Sequence, residues 1–281
     1  MGLSETLRII RIVVGVILIS LLMVPLQVLA LRLGWRLRKK LPVLWHRCVL
    51  WLMSIRVRVH GQPAKNIHGT LLAANHVSWL DIVVLGSITP LSFISKDEVL
   101  GWGIFGKLAQ WQETIFITRE RRTDVANQAD AIARRLNAGD TLVLFPEGTT
   151  SDGNFIYAFK SSLFGALGLT GENADMVHAV QPVAIAYTGL HGMPMGRYDR
   201  PLAAWPGDIE LVPHLVNVLR HGVLDVDVCF GDVIEAGPQT NRKQLTTQVQ
   251  SAVSQMAAAA LRGRLASSHQ RKSGLLGHDD E

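Results

Sequence analysis

Thr70–Gly86 reads TLLAANHVSWLDIVVLG. An apolar run, Thr70–Ala74, gives way to the polar residues Asn75, His76, Ser78 and Asp81 before a second apolar run resumes. The first run has the length and composition of a buried strand, and Ser78–Gly86 those of a short helix. A strand feeding directly into a helix is the unit from which parallel α/β sheets are built. Polar side chains at that junction must find partners or face a cleft, because an unpaired buried polar group costs roughly 1–3 kcal/mol. Ser78 stands where a helix N-cap is expected.

His76 and Asp81 are five positions apart. Within one continuous helix they would diverge by about 140°, at 100° per residue. They meet only if His76 lies on the turn before the helix and Asp81 reaches back from its first turn. A carboxylate bonded to one imidazole nitrogen fixes the tautomer and leaves the other nitrogen to take a proton. No Ser or Cys nucleophile is evident beside the pair, so the proton is expected to come from a substrate hydroxyl.

Outward from this stretch, RVRVHG from Arg56 alternates as a half-buried strand does, and short apolar runs recur: LSFIS from Leu91, TIFITR from Thr114, TLVLFP from Thr141, AVQPVAIAY from Ala179 and LDVDVCFG from Leu224. Between them Thr123–Asn137 has the spacing of an amphipathic helix, with Thr123 as its cap and Gly139 just past its end. The expected fold is α/β, a largely parallel central sheet flanked by helices, with an N-terminal hydrophobic helical membrane anchor. The expected divisions are residues 1–55 for the anchoring helices, 56–240 for the α/β catalytic domain, and 241–281 for a C-terminal helix followed by a disordered tail.

The anchor rests on Ile12–Leu31, an apolar stretch without a charge. At about 1.5 Å per residue it is long enough for a hydrocarbon core about 30 Å thick. Arg32, Arg36, Arg38, Lys39 and Lys40 follow it. That cluster opposes translocation, which disfavours a cleaved signal peptide and places the bulk of the chain on the cytoplasmic side of the inner membrane. Leu41–Ile55, with Trp45 and Trp51 among basic residues, suits the headgroup layer. One span plus a surface helix, or a hairpin dipping into one leaflet, both satisfy this pattern.

The chain has 281 residues, 48% of them hydrophobic, and a formal net charge of +5. Such a balance favours anionic partners. The basic residues lack interleaved aromatics, which argues against nucleic acid. Cys48 and Cys229 are the only cysteines and have no metal-ligand spacing. GWGIFG, from Gly101, spells the dinucleotide fingerprint but follows KDEVL rather than a strand, so it reads as flexible glycines around an apolar Trp102/Phe105 contact.

Two further stretches are candidates for a site. LFPEGTTSDG, from Leu144, lies at the carboxyl end of an expected strand, where open α/β sheets bind ligands, and presents Glu147 on a turn shaped by Pro146 and Gly148. TIFITRERR, from Thr114, ends in Arg119, Arg121 and Arg122, guanidinium groups suited to phosphate.

NHVSWLD, TIFITR, FPEGTTS and VQPVAI occur in the order and approximate spacing of the four blocks of the glycerolipid acyltransferases, and Gly61–Tyr187 resembles that family. The family includes the 1-acyl-glycerol-3-phosphate (lysophosphatidate) acyltransferases. The resemblance implies transfer of an acyl chain from acyl carrier protein or coenzyme A to a lysolipid hydroxyl, with lysophosphatidate the first acceptor to consider. It implies His76 as general base and Asp81 as its orienting partner. Asn75, Arg119, Glu147, Gly148, Thr149 and Lys160 fall at positions expected to bind or frame the acceptor. Neither a metal nor a cofactor is implied, the thioester being a substrate. The second block usually opens with Gly, where this chain has Glu113, a carboxylate able to repel a phosphate or welcome a cationic head group. FPEGTTSDGN, FKSSLFGA and DIELVPHLVNVL also resemble the branch that acylates lyso-ornithine lipid, the alternative acceptor.

Overall fold

A computed structural model describes residues 2–64, 69–117, 122–167, 178–207, 209–237 and 239–265. In chain order the elements are α1 (Leu3–Arg32), α2 (Leu37–Met53), β1 (Arg56–His60), β2 (Thr70–Ala74), α3 (Leu80–Gly86), β3 (Ser92–Lys96), α4 (Ile104–Trp111), β4 (Ile115–Ile117), α5 (Arg122–Asn137), β5 (Thr141–Leu144), β6 (His178–Leu190), β7 (Met193–Pro194), α6 (Leu211–His221), β8 (Leu224–Phe230), β9 (Ile234–Ala236) and α7 (Arg242–Leu261).

The strands run in the order β1-β8-β6-β2-β5-β3-β4, with β7 and β9 pairing β6. β2 is parallel to both β5 and β6, β3 is parallel to β4 and β5, and β1 is parallel to β8. Direction reverses between β6 and β8. The sheet is therefore largely parallel, and the carboxyl ends of β2 and β5 lie side by side. That edge receives the two loops expected to form the site.

Alternation along β2 divides the core. Leu72 and Ala74 face the layer built by α2 and α3, while Leu71 and Ala73 face the one built by α5 and α7. All five β2 residues are buried, as a central strand covered on both faces must be. On α5 the expected stripe is buried at Ile132, Ala133 and Leu136, and Gly139 at φ 82° closes the helix end. Asn241 caps α7 by accepting the amides of Lys243 and Gln244. The side chain expected to cap α5, Thr123, and the tail after Leu265 lie outside the described residues.

α1 is long and apolar enough to cross a membrane. It also packs along α2 and is tied to the sheet domain at both ends. Near its start, Ile12 enters the core on the α2 side of the sheet and Arg8 donates to the Met53 carbonyl at 3.2 Å. Near its end, Gln27 donates to the Trp111 carbonyl of α4 at 2.7 Å. Leu18, Leu21 and Leu22 point outward from the packed side. The basic cluster after α1 is partly engaged with the domain rather than free for lipid: Arg38 pairs with Glu113, and Lys39 with Asp140, both at 2.6 Å.

Candidate active site

β2 ends at Ala74, and the chain crosses to α3 through Asn75–Trp79. His76 lies on that crossing and Asp81 in the first turn of α3, the placement needed for them to meet. The His76 Nδ1 is 2.8 Å from Asp81 Oδ2. The same Oδ2 accepts the main-chain N–H groups of Val77 at 2.7 Å and Ser78 at 2.9 Å. Asp81 is fully buried. An oxygen that accepts two amides serves as an acceptor, so Nδ1 carries the hydrogen and the lone pair of the neutral ring lies on Nε2. Among the described residues Nε2 has no hydrogen-bond partner. The ring stacks on Phe145, centroids 4.0 Å apart and planes 13° off parallel.

Ser78 does not take the capping role expected of it: the N-cap position of α3 falls at Trp79, with no side-chain cap hydrogen bond. The Asp81 carboxylate instead reaches back to the amides of Val77 and Ser78 on the turn before the helix, while Ser78 Oγ is buried with no hydrogen-bond partner among the described residues. The fourth group on this carboxylate is Tyr187, whose hydroxyl donates to Oδ1 at 2.7 Å. Burial and the adjacent Asp81 charge push the Tyr187 hydroxyl pKa well above its usual value, so it remains a donor. Sequence reasoning did not single out Tyr187. Its one signal is its place on β6, in step with Val183 and Ile185 on the face that packs toward α3.

Glu147 is not presented at the tip of its turn. It is buried, with Oε1 accepting the His76 amide and Oε2 the Tyr157 amide, each at 2.7 Å. Burial pushes its pKa up to about 7, against the two amide bonds that favour the ionised form; the Asp81 charge adds to the rise. With both oxygens taken by main chain, Glu147 fixes the His76 turn rather than offering a ligand. Asn75 is likewise turned inward. Its amide donates to the Ile185 carbonyl and accepts the Ile185 N–H, at 2.9 and 2.8 Å, continuing the β2–β6 ladder one residue past the strand end.

The loop after β5 wraps the His76 turn. Gly148 takes φ 70°, a left-handed turn conformation that favours glycine, and the Ser151 amide donates to the His76 carbonyl at 2.9 Å. Thr149 is exposed, and Thr150 donates to the Trp205 carbonyl. Lys160 is exposed; its amide bonds to the Pro146 carbonyl, closing the loop. Arg119 and Arg121 lie outside the described residues. The Glu113 carboxylate pairs with Arg38 at 2.6 Å, which offsets its charge. Glu113 sits at φ 58°, the left-handed region, which gives a physical reason for the glycine usual in that block.

A family model described as Acyltransferase matches residues 56–186. A lyso-ornithine lipid O-acyltransferase of Rhizobium meliloti is 48% identical over 250 residues, covering 88% of this chain and 85% of the relative. The chain belongs to the acyltransferase family. A lyso-ornithine lipid O-acyltransferase of Brucella abortus is 46% identical, with 92% of this chain and 97% of the relative covered. A 1-acyl-sn-glycerol-3-phosphate acyltransferase of Neisseria meningitidis is 33% identical over 74% of this chain and 76% of its own. The crystal structure of PlsC, the 1-acyl-sn-glycerophosphate acyltransferase of Thermotoga maritima, superposes with a TM-score of 0.62 at 20% identity, covering 94% of this chain and 98% of that one. At that identity the likeness shows the fold alone.

Proposed function

We propose that this acyltransferase moves a fatty acyl group from an acyl carrier protein or coenzyme A thioester to the free hydroxyl of lyso-ornithine lipid. The observation that carries the chemistry is the His76–Asp81 pair, one imidazole nitrogen held by a buried carboxylate and the other unpartnered among the described residues. His76 Nε2 takes the hydroxyl proton as the oxygen attacks the thioester carbonyl. Asp81 stabilises the imidazolium through Nδ1–H without accepting its proton. Collapse of the tetrahedral intermediate breaks the carbon–sulfur bond, and the departing thiolate takes the proton back from Nε2. Tyr187 and the amides of Val77 and Ser78 keep the Asp81 carboxylate in place through the cycle.

The acceptor is argued from likeness. Relatives of 48% and 46% identity are named for lyso-ornithine lipid, against 33% for the relative named for lysophosphatidate. Lysophosphatidate is the second reading, favoured by Arg119 within the second block, a guanidinium suited to phosphate. The apolar α1, with the basic residues behind it, supports a bilayer location on the cytoplasmic side of the inner membrane. Purified enzyme offered lyso-ornithine lipid and lysophosphatidate side by side, with each donor type, tests the reading. Preferential acylation of lyso-ornithine lipid is expected; preferential acylation of lysophosphatidate would reverse the assignment.

A further inference from the structure

Leu100, Trp102, Ile104 and Phe105 are all exposed, Ile104 by 61%, within six residues of one turn. An apolar cluster of this kind on a surface marks a contact with another phase or molecule. The glycines of GWGIFG make the turn possible. Gly103 takes φ 58° and ψ −120°, and a Cβ on Gly106 would stand 2.5 Å from the Leu100 carbonyl oxygen. Exposed Lys96 and Lys107 flank the cluster. Trp102 meets Trp205 edge to face at 5.9 Å, and Ile209 and Val212, both exposed, follow Trp205 in the chain.

This surface is joined to two others. The Trp205 amide donates to the Val77 carbonyl at 2.8 Å, and Thr150 bonds the Trp205 carbonyl, so the cluster is wired to the residues on either side of the His76 turn. At its far end α4 is bonded to α1 through Gln27 and Trp111, and α1 shows its own apolar side outward.

We propose that the turn at residues 100–105, with Ile209 and Val212, is a second bilayer-contacting element beside α1, holding this face of the catalytic domain against the headgroup layer. Tryptophan and phenylalanine beside lysine are what the headgroup layer accommodates. An acidic carrier protein would call instead for clustered cations, and here two lysines share the border with Asp97 and exposed Glu98. Burying one such side chain in lipid is worth roughly ten- to hundredfold in partitioning. The bilayer contact stands on the exposed side chains and on the link of α4 to α1; only the turnover arm of its test rests on the proposed function.

Full-length Ile104→Cys, carrying an environment-sensitive fluorophore, tests the contact on vesicles of phosphatidylethanolamine and phosphatidylglycerol. Gln255→Cys, exposed on α7 across the sheet from α1 and α2, serves as control, and wild-type chain labelled in parallel measures the contribution of Cys48 and Cys229. Emission at residue 104 is expected to rise several-fold and to be quenched by a quencher within the bilayer, with no change at residue 255. Ile104→Asp is expected to lower turnover of vesicle-borne lysolipid about tenfold relative to turnover of the same lysolipid in detergent micelles. An unchanged signal at residue 104 while the protein floats with the vesicles would overturn the proposal. So would a response to acyl carrier protein but not to vesicles, or an unchanged vesicle-to-micelle ratio in Ile104→Asp. Fluorophore insertion needs no turnover, so a failure of the acceptor assignment leaves that arm readable.

Discussion

The Glu147 carboxylate accepts the main-chain N–H of His76 at 2.7 Å, so the second acid of the site holds the backbone of the base and not its ring. Its other oxygen holds Tyr157, ten residues along the same loop. The turn that carries the imidazole is thereby fixed from below by Glu147 and from the side by Asp81.

Glu147 gives a pH dependence of stability with a definite sign. Its pKa rises on folding from 4.5 to about 7, so between those values the folded chain holds more proton than the unfolded one. Stability contributed by this group is full below pH 4.5 and is lost as pH rises toward 7. Unfolding of wild type and Glu147→Gln in detergent, compared across that window, should show wild type losing on the order of 3 kcal/mol relative to the variant, then levelling. A difference independent of pH would contradict the buried, proton-retaining state.

Tyr187→Phe removes one donor from Asp81 and leaves the ring in place. Loss of a hydrogen bond to a charged group should cost about 1.5–3 kcal/mol of stability. Because Asp81 must hold the imidazolium, kcat should fall about tenfold while the acceptor KM stays unchanged. A change confined to KM would place Tyr187 in acceptor binding instead.

Glu113→Gly relieves the left-handed backbone, of order 1–3 kcal/mol, and gives up the ion pair with Arg38, about 0.2–1 kcal/mol. Glu113→Ala gives up the pair and keeps the strain. The glycine variant should match or exceed wild type in thermal midpoint, with the alanine variant below it. Neither should alter the acceptor KM, and a KM shift in both would return Glu113 to the acceptor site.

The β2–turn–α3 unit was legible because polar residues interrupt an apolar run, and the His–Asp spacing forces His76 off the helix. Tyr187 was hidden because an aromatic in strand period reads as core; its hydroxyl matters only once β6 lies beside the start of α3. The directions of Asn75 and Glu147 were illegible for a related reason. Whether a turn side chain points in or out depends on Ile185 and Tyr157, which local sequence does not bring near. Hydropathy marks α1 as apolar, yet it does not distinguish lipid from the protein surface that buries Ile12. No strand directly precedes the glycines of GWGIFG; Gly101 ends a short 3-10 helix, Gly103 turns the chain into α4 at φ 58°, Gly106 lies within α4, and Trp102 meets Trp205.

The central claim is that the free nitrogen of His76 removes the acceptor's proton. Thiol release from acyl-thioester by purified wild type and His76→Ala, with and without lysolipid, tests it most directly, far-UV circular dichroism confirming that both are folded. Base catalysis by His76 predicts lysolipid-dependent release by wild type and a loss of about 10²–10⁴-fold in the variant. Near-normal lysolipid-dependent release by folded His76→Ala would contradict it.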